Sequence, residues 1–234
     1  MTERFEGYPD DGLRFLRGLA RHNDRDWFEE RRPRYRDGVR LPTLRLAAAI
    51  NEALARHGPA YVTPPTRAVP RLARDRRFHP DRPPYKTYTS ALFGYGGAKL
   101  LDGCGFAVRI APDGVTIGGG AFQPAPAQLA RVRGAIASDP SALTGILKRP
   151  ALRRRMGALR GARTIRVPPG HDADHPAAAD LCHRQFFLEA EHGLDLARSR
   201  ALVTQTTYAV RVMRPFVDWL ARVLGLEGVY QSSP

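Results

Sequence analysis

Lysine is almost missing from this 234-residue chain: Lys86, Lys99 and Lys148 are the only three among 37 basic residues, which leaves 34 arginines. Against 23 acidic residues the formal charge is +14 and the pI is near 10.7, a balance that suits a polyanionic partner. Abundant Ala, Gly and Pro beside the arginine also fit a GC-rich coding bias, so the pI overstates that signal. Cysteine is scarce as well. Cys104 and Cys182 stand far apart and outside any C-x-x-C, and read as reduced, buried thiols. No apolar stretch reaches about 18 residues and none precedes a small-residue cleavage site, so neither a membrane span nor secretion is expected, and a cytoplasmic location is. A G-x-S-x-G elbow, a cysteine nucleophile context, and Walker or dinucleotide glycine spacings are all missing.

An apolar fraction of 43% and a charged fraction of 26% are those of a globular chain. At this length roughly 70% of the unfolded surface can be buried, enough for one core without disulfides or metals, so residues 1–234 are read as one domain. Leu13, Leu16 and Leu19 mark a first amphipathic helix. Asp24 is placed to cap a second, carrying Trp27, Phe28 and Tyr35, and Pro42 falls in the first turn of a third that ends at His57-Gly58-Pro59. The middle of the chain changes period. Extended segments fit Val69 to Phe78, Tyr88 to Tyr95 and Cys104 to Ala111, the last joined to Val115–Gly118 through Pro112-Asp113-Gly114. Helical periodicity returns at Pro126 to Ser138 and in short pieces to Leu159. A short helix near 177–183, a strand near 185–191 and a long helix from about Ser199 to Leu224 close the pattern, with a kink expected at Pro215. Helical ends around a strand-rich middle predict an α+β fold, an antiparallel sheet covered by N-terminal and C-terminal helices.

The densest chemistry lies in Arg71–Lys86, where sixteen residues hold six cations, two carboxylates and a tyrosine. Planar guanidinium forks with an acid among them suit recognition of phosphate, sulfate or carboxylate. In a straight strand Arg71 and Arg77 would stand about 20 Å apart, too far to share one small anion, whereas Asp75 and Arg77 would lie about 6–7 Å apart on one face. The prolines at 80, 83 and 84 can fold Arg82, Tyr85 and Lys86 back toward them. The predicted site is thus a cleft in which Arg74, Arg77, Arg82 and Lys86 hold an anion, Asp75 steadies a guanidinium, and Arg71 lies at the margin. A structural ion-pair network pinning the turn is the plainer alternative.

Arg71-x-x-Arg74-Asp75-x-Arg77-Phe78 followed by Tyr85 resembles the signature of domain of unknown function 2461, whose pattern is R-x-x-R-D-x-R-F-x-x-x-K-x-x-Y. Asn23 with Trp27-Phe28 and Tyr35, Gly118-Gly119-Gly120 with Pro124, Pro168 with Gly170, and Asp174-His175-Pro176 with Leu181 and Phe186 resemble further landmarks of that family. Arg82 and Arg184 stand where the family tends to carry lysine, which keeps the charge but changes its geometry. The resemblance spans nearly the whole chain and implies no activity or cofactor.

Outside the motif, His175 beside Asp174 is the acid/base candidate together with Tyr85. Gly119 and Gly120 are read as a turn whose amides could face an anion ahead of the helix at Pro126. With Asp174 and Arg184 they complete the possible cleft. His171, Asp172, Asp174 and His175 lack the one-face spacing of a helical metal site, and no metal is assigned. Trp27, Phe28 and Tyr35 read as core, with Asn23 and Arg32 bordering the cleft. The function expected is the binding or conversion of an anionic small molecule in an arginine-rich cleft, with a nucleic-acid-binding module on a basic surface as the rival. No cofactor, substrate or reaction is named by the sequence.

Overall fold

The computed structural model describes residues 4–75, 77 and 81–227. The chain opens with α1 (Asp10–Arg21) and α2 (Arg25–Glu30); the Asp24 carboxylate caps α2 by accepting from the Trp27 amide at 2.8 Å. A short α3 (Arg32–Tyr35) runs through a widened turn at Arg36–Arg40 directly into α4 (Leu41–His57). Gly38 marks the reason for the close fit there: a Cβ on it would lie 2.9 Å from the backbone of Gly12 in α1. After α5 (Pro65–Ala68) come the strands β1 (Thr89–Gly94), β2 (Gly105–Ala111) and β3 (Gly114–Ala121). Helices α6 (Pro126–Ser138), α7 (Pro140–Leu147), α8 (Pro150–Met156) and α9 (Ala178–Leu181) precede β4 (Phe186–His192), and α10 (Ala201–Val223) follows it.

The four strands form one antiparallel sheet in the order β1-β2-β3-β4. Its register sorts side chains cleanly by face. Ala91, Phe93, Phe106, Val108, Ile110, Val115, Ile117 and Leu188 share one face and are buried. The other carries Arg109, Thr116, Glu189 and Glu191. Helices pack on the apolar face, with the buried stripe of α10 (Thr206, Ala209, Met213, Phe216, Val217, Leu220) laid across it. This is the α+β architecture, an antiparallel sheet under N-terminal and C-terminal helices, and none of the helices among the described residues is long and apolar enough to cross a membrane.

Three local expectations differ from the structure. Among the described residues of Val69–Phe78 no strand forms, and pairing is limited to one bridge, Ala73 to Tyr85, because the prolines around it remove ladder donors. In the β2–β3 hairpin Ala111 pairs with Gly114, so Pro112-Asp113 forms the two-residue connection, and only Gly114 takes a positive φ (151°). Gly119 and Gly120 are not a turn but paired residues of β3, flanked by β2 and β4. A side chain at Gly119 would strike the Phe106 ring at 2.8 Å and Val217 of α10 at 3.2 Å, so glycine lets the helix approach the sheet. Helix α10 itself continues through Pro215.

Candidate functional site

The motif loop is fastened to the N-terminal helices at one residue. Asn23, just ahead of the α2 cap, donates to the Tyr85 carbonyl at 3.0 Å and accepts from the Tyr85 amide at 2.9 Å, closing a ring of two hydrogen bonds on a single backbone position. Phe28, one turn into α2, stacks on the Tyr85 ring with centroids 4.3 Å apart and planes 11° from parallel. Phe28 packs in turn against Phe15 and Tyr35, so the loop rests on the aromatic cluster of the helical end.

The stem of the loop is the Ala73–Tyr85 bridge, flanked by hydrogen bonds from the Arg74 amide to the Pro84 carbonyl (2.8 Å) and from the Lys86 amide to the Leu72 carbonyl (2.9 Å). Alternation across a bridge sends residues 73 and 85 to one side and residues 72, 74, 84 and 86 to the other. Tyr85 therefore turns toward α2, while Arg74 and Lys86 share the opposite side as a diagonal pair, a spacing of about 7–8 Å that long side chains span. Their charges meet. Burial first, and then the neighbouring Arg74 guanidinium, lower the Lys86 pKa. Among the described residues Arg74 Nε, shut off from water, has no hydrogen-bond partner, and neither cation forms an ion pair. Two half-buried like charges side by side are an electrostatic cost that an anion between them would cancel.

The remaining cations of the loop behave differently. Asp75 grips Arg77 through both carboxylate oxygens, at 3.0 Å to Nε and 2.7 Å to Nη2, and also accepts from the Arg77 amide at 3.1 Å, with both side chains largely exposed. Arg71 and Arg82 are exposed. Phe78 of the motif lies outside the described residues. On the α2 side, burial and the Glu29 carboxylate raise the Tyr85 pKa, so its hydroxyl keeps its proton at neutral pH and can donate it but not take one.

The sequence profile of a family described as Conserved hypothetical protein (DUF2461) matches residues 11–219. The chain belongs to this family. No curated protein and no solved structure matches it. The DUF2461 region covers the fold from α1 to the last turn or so of α10, so the motif loop, its Asn23–Phe28 support and the sheet are all parts of the family unit.

Other sequence candidates of this DUF2461 chain lie elsewhere. Thr89 pairs through β2 and β3 toward His192, whereas Gly94, Gly105, Gly120 and Phe187 line up at the opposite end. The start of β1 and the start of β4 are thus diagonal corners of the sheet, about 22 Å apart from three strand spacings and five residues of rise. The motif loop leads into the first corner and Arg184 into the second. His175 belongs to the second corner too: its Nε2 lies 3.2 Å from the Ala137 carbonyl of α6 and its Nδ1 accepts from the Ala177 amide at 3.1 Å, while Arg133 ties α6 to the carbonyls of Leu181 and His183. Both ring nitrogens are used to hold backbone, and Asp174 is exposed beside it with its amide on the Asp172 carboxylate. The predicted cleft accordingly divides. Arg74 and Lys86 come together, Asp75 and Arg77 come together, and His175, Asp174, Arg184, Gly119 and Gly120 stand apart from them.

His183 was not singled out by the sequence. It is 5% exposed with Nδ1 unpartnered among the described residues, and burial, then Arg163, lower its pKa. Asn23 was read only as a cleft neighbour and Phe28 only as core; the signal that could have joined them to Tyr85 is that both sit within one turn of the α2 cap, on the element that enters just ahead of the aromatic cluster. Among the described residues no group of three His, Cys, Asp or Glu could hold a metal ion. Both cysteines are free and buried, and burial pushes the Cys104 thiol up to about 12.

Proposed function

We propose that the chain binds a small anionic molecule, through a phosphate, sulfate or carboxylate group, between Arg74 and Lys86. One observation carries the reading: the two cations lie together, half-buried, with no carboxylate paired to either among the described residues and with Arg74 Nε dry and unpartnered. A buried polar group left unsatisfied costs about 1–3 kcal/mol. A purely internal scaffold would place an acid there, as the same loop does for Arg77. An anion would accept from the guanidinium fork and the ammonium together, offset the repulsion between them, and gain roughly twice the strength of neutral hydrogen bonds. Arg82 and Arg71, exposed nearby in sequence, would contact the remainder of the ligand.

Tyr85 is the anchor of the site in this reading and not its catalyst, since its ring lies on the far side of the bridge. A thermal-shift screen of phosphorylated and carboxylated metabolites, against sodium chloride at matched ionic strength, tests it. At least one anion class is expected to raise the melting temperature of the wild type and to leave Lys86→Met unmoved. The reading fails if every anion acts as chloride does.

A further inference from the structure

A second cationic region uses none of the motif residues. Two open cavities of about 410 and 630 Å³ adjoin along α10, the larger against α4 and the smaller reaching from the end of α4 to Ile146 and Arg149, and they share His57 and Arg211 as neighbouring parts of one groove. The smaller is lined by Arg149, Arg211, Arg214 and Arg222 with Asp218. The larger is lined by Arg4, Arg45, Arg56, Arg200 and Arg211 with Glu52. Eight arginines thus face two carboxylates, and Asp218 is already engaged by the Tyr61 hydroxyl and by Arg214. Arg200 pairs with Glu6. Arg56, Arg149, Arg211 and Arg222 are exposed and make no ion pair among the described residues.

The cations are ordered along the helices. At 100° per residue Arg200, which caps α10, and Arg211, Arg214 and Arg222 within it fall in an arc of about 80°. Arg200, Arg211 and Arg222 repeat at eleven residues, three turns or about 16.5 Å, and span about 33 Å; Arg45 and Arg56 repeat the same interval on α4. A metabolite would occupy one cavity and leave the other row of charge idle, whereas a chain of phosphates meets all of it. Of the described exposed large apolar side chains, Leu41, Val62, Leu101, Ile165 and Tyr208, only Tyr208 borders the groove, which gives little for insertion into lipid. Its ring, 48% exposed and backed by the Arg155 guanidinium at 5.6 Å, is a face on which an unpaired base can stack.

We infer that the α4–α10 groove binds single-stranded nucleic acid, with the arginine rows on the phosphates and Tyr208 under a base. A length of about 33 Å accords with the roughly 4–16 nucleotides that single-strand grooves occupy. The test is fluorescence anisotropy of labelled 12-nucleotide single strands, DNA and RNA of mixed sequence, with the full chain over a salt series. With about five phosphates neutralised, the slope of log affinity on log salt should be about −3.5, and each of Arg211→Ala and Arg222→Ala should reduce it by about 0.7. The double variant should bind at least about tenfold more weakly. Tyr208→Ala should weaken binding about fivefold or more with the slope unchanged. Arg160→Ala, on the opposite sheet face with Glu189 and Glu191, should bind as wild type, and so should Lys86→Met, which separates this inference from the anion site. Unchanged melting of the exposed-residue variants certifies their folding. The inference is overturned by absence of binding at about 50 mM salt, by a double variant that binds as wild type, by preference for a duplex over the strand, or by phosphatidylserine vesicles that bind through the same arginines while the strands do not.

Discussion

Arg74 with Lys86, and the arginine rows of α4 and α10, are built from the same kind of charge and differ in what stands behind it. The first pair is half-buried at the stem of a loop whose position is fixed by Asn23 and by the stacked rings of Phe28 and Tyr85. The second lies along two helices, exposed at Arg56, Arg200, Arg211, Arg214 and Arg222, and spans about 33 Å on α10. Charge held at one point and partly stripped of water can discriminate among small anions, because the geometry of two donors is set before the ligand arrives. Charge spread along a surface has no such selectivity and acts through the number of phosphates it meets. Net charge alone, which is all that composition reports, does not separate the two.

The comparison breaks most visibly at the support of the concentrated pair. Phe28→Ala removes a buried ring from beneath Tyr85 and should lower stability by about 3–5 kcal/mol, measured by urea unfolding, and abolish any anion-induced stabilisation with it. Arg211→Ala, which has no packed support, should leave the same unfolding curve unmoved. Asn23→Ala strands the Tyr85 amide and carbonyl and should cost about 1–3 kcal/mol; an unaltered unfolding midpoint would show that the loop is held by something else.

Smaller effects sharpen the contrast. Lys86→Met should leave stability unchanged or raise it, since it relieves a like-charge pair, while phosphate binding falls at least about tenfold; a destabilised variant would mean that the ammonium has a native partner. The sign of the pH effect follows. The folded-state pKa of Lys86 is lowered, so the unfolded chain binds the extra proton between that value and the ordinary value of about 10.4. Stability contributed by this group is lost as pH falls through the lowered value and recovered as pH rises toward the ordinary one. The difference in unfolding free energy between wild type and Lys86→Gln should therefore narrow over that alkaline window, and phosphate should oppose the narrowing by holding Lys86 charged. Smallest of all, Asp75→Asn breaks an exposed pair and should scarcely move melting.

Much of the fold is legible in residue periodicity, and the site is legible only as a place. The stripe of α10 and the bounds of α6 follow from apolar spacing, and Asp24 announces the start of α2 through its carboxylate. Gly119 and Gly120 do not form the expected turn, because a residue without a side chain carries the same signature in a turn as in a crowded strand; what decides it is Val217, nearly a hundred positions away, for Gly119 and the β4 backbone at Phe186 and Phe187 for Gly120. The motif shows its charge in sequence but not its direction. One bridge, Ala73 with Tyr85, sends the tyrosine one way and Arg74 and Lys86 the other, and no local pattern fixes a pairing made across eleven intervening residues. His175 likewise looked like a proton carrier because a carboxylate precedes it, yet its ring is spent on two backbone groups contributed partly by α6.

With only three lysines in the chain, ¹⁵Nζ-lysine NMR can follow Lys86 alone, assigned by the signal that Lys86→Arg removes. That signal should titrate below the ordinary lysine value of about 10.4 and move back upward as inorganic phosphate is added at constant ionic strength. A Lys86 signal that titrates at the ordinary value and ignores phosphate would contradict an anion site between Arg74 and Lys86.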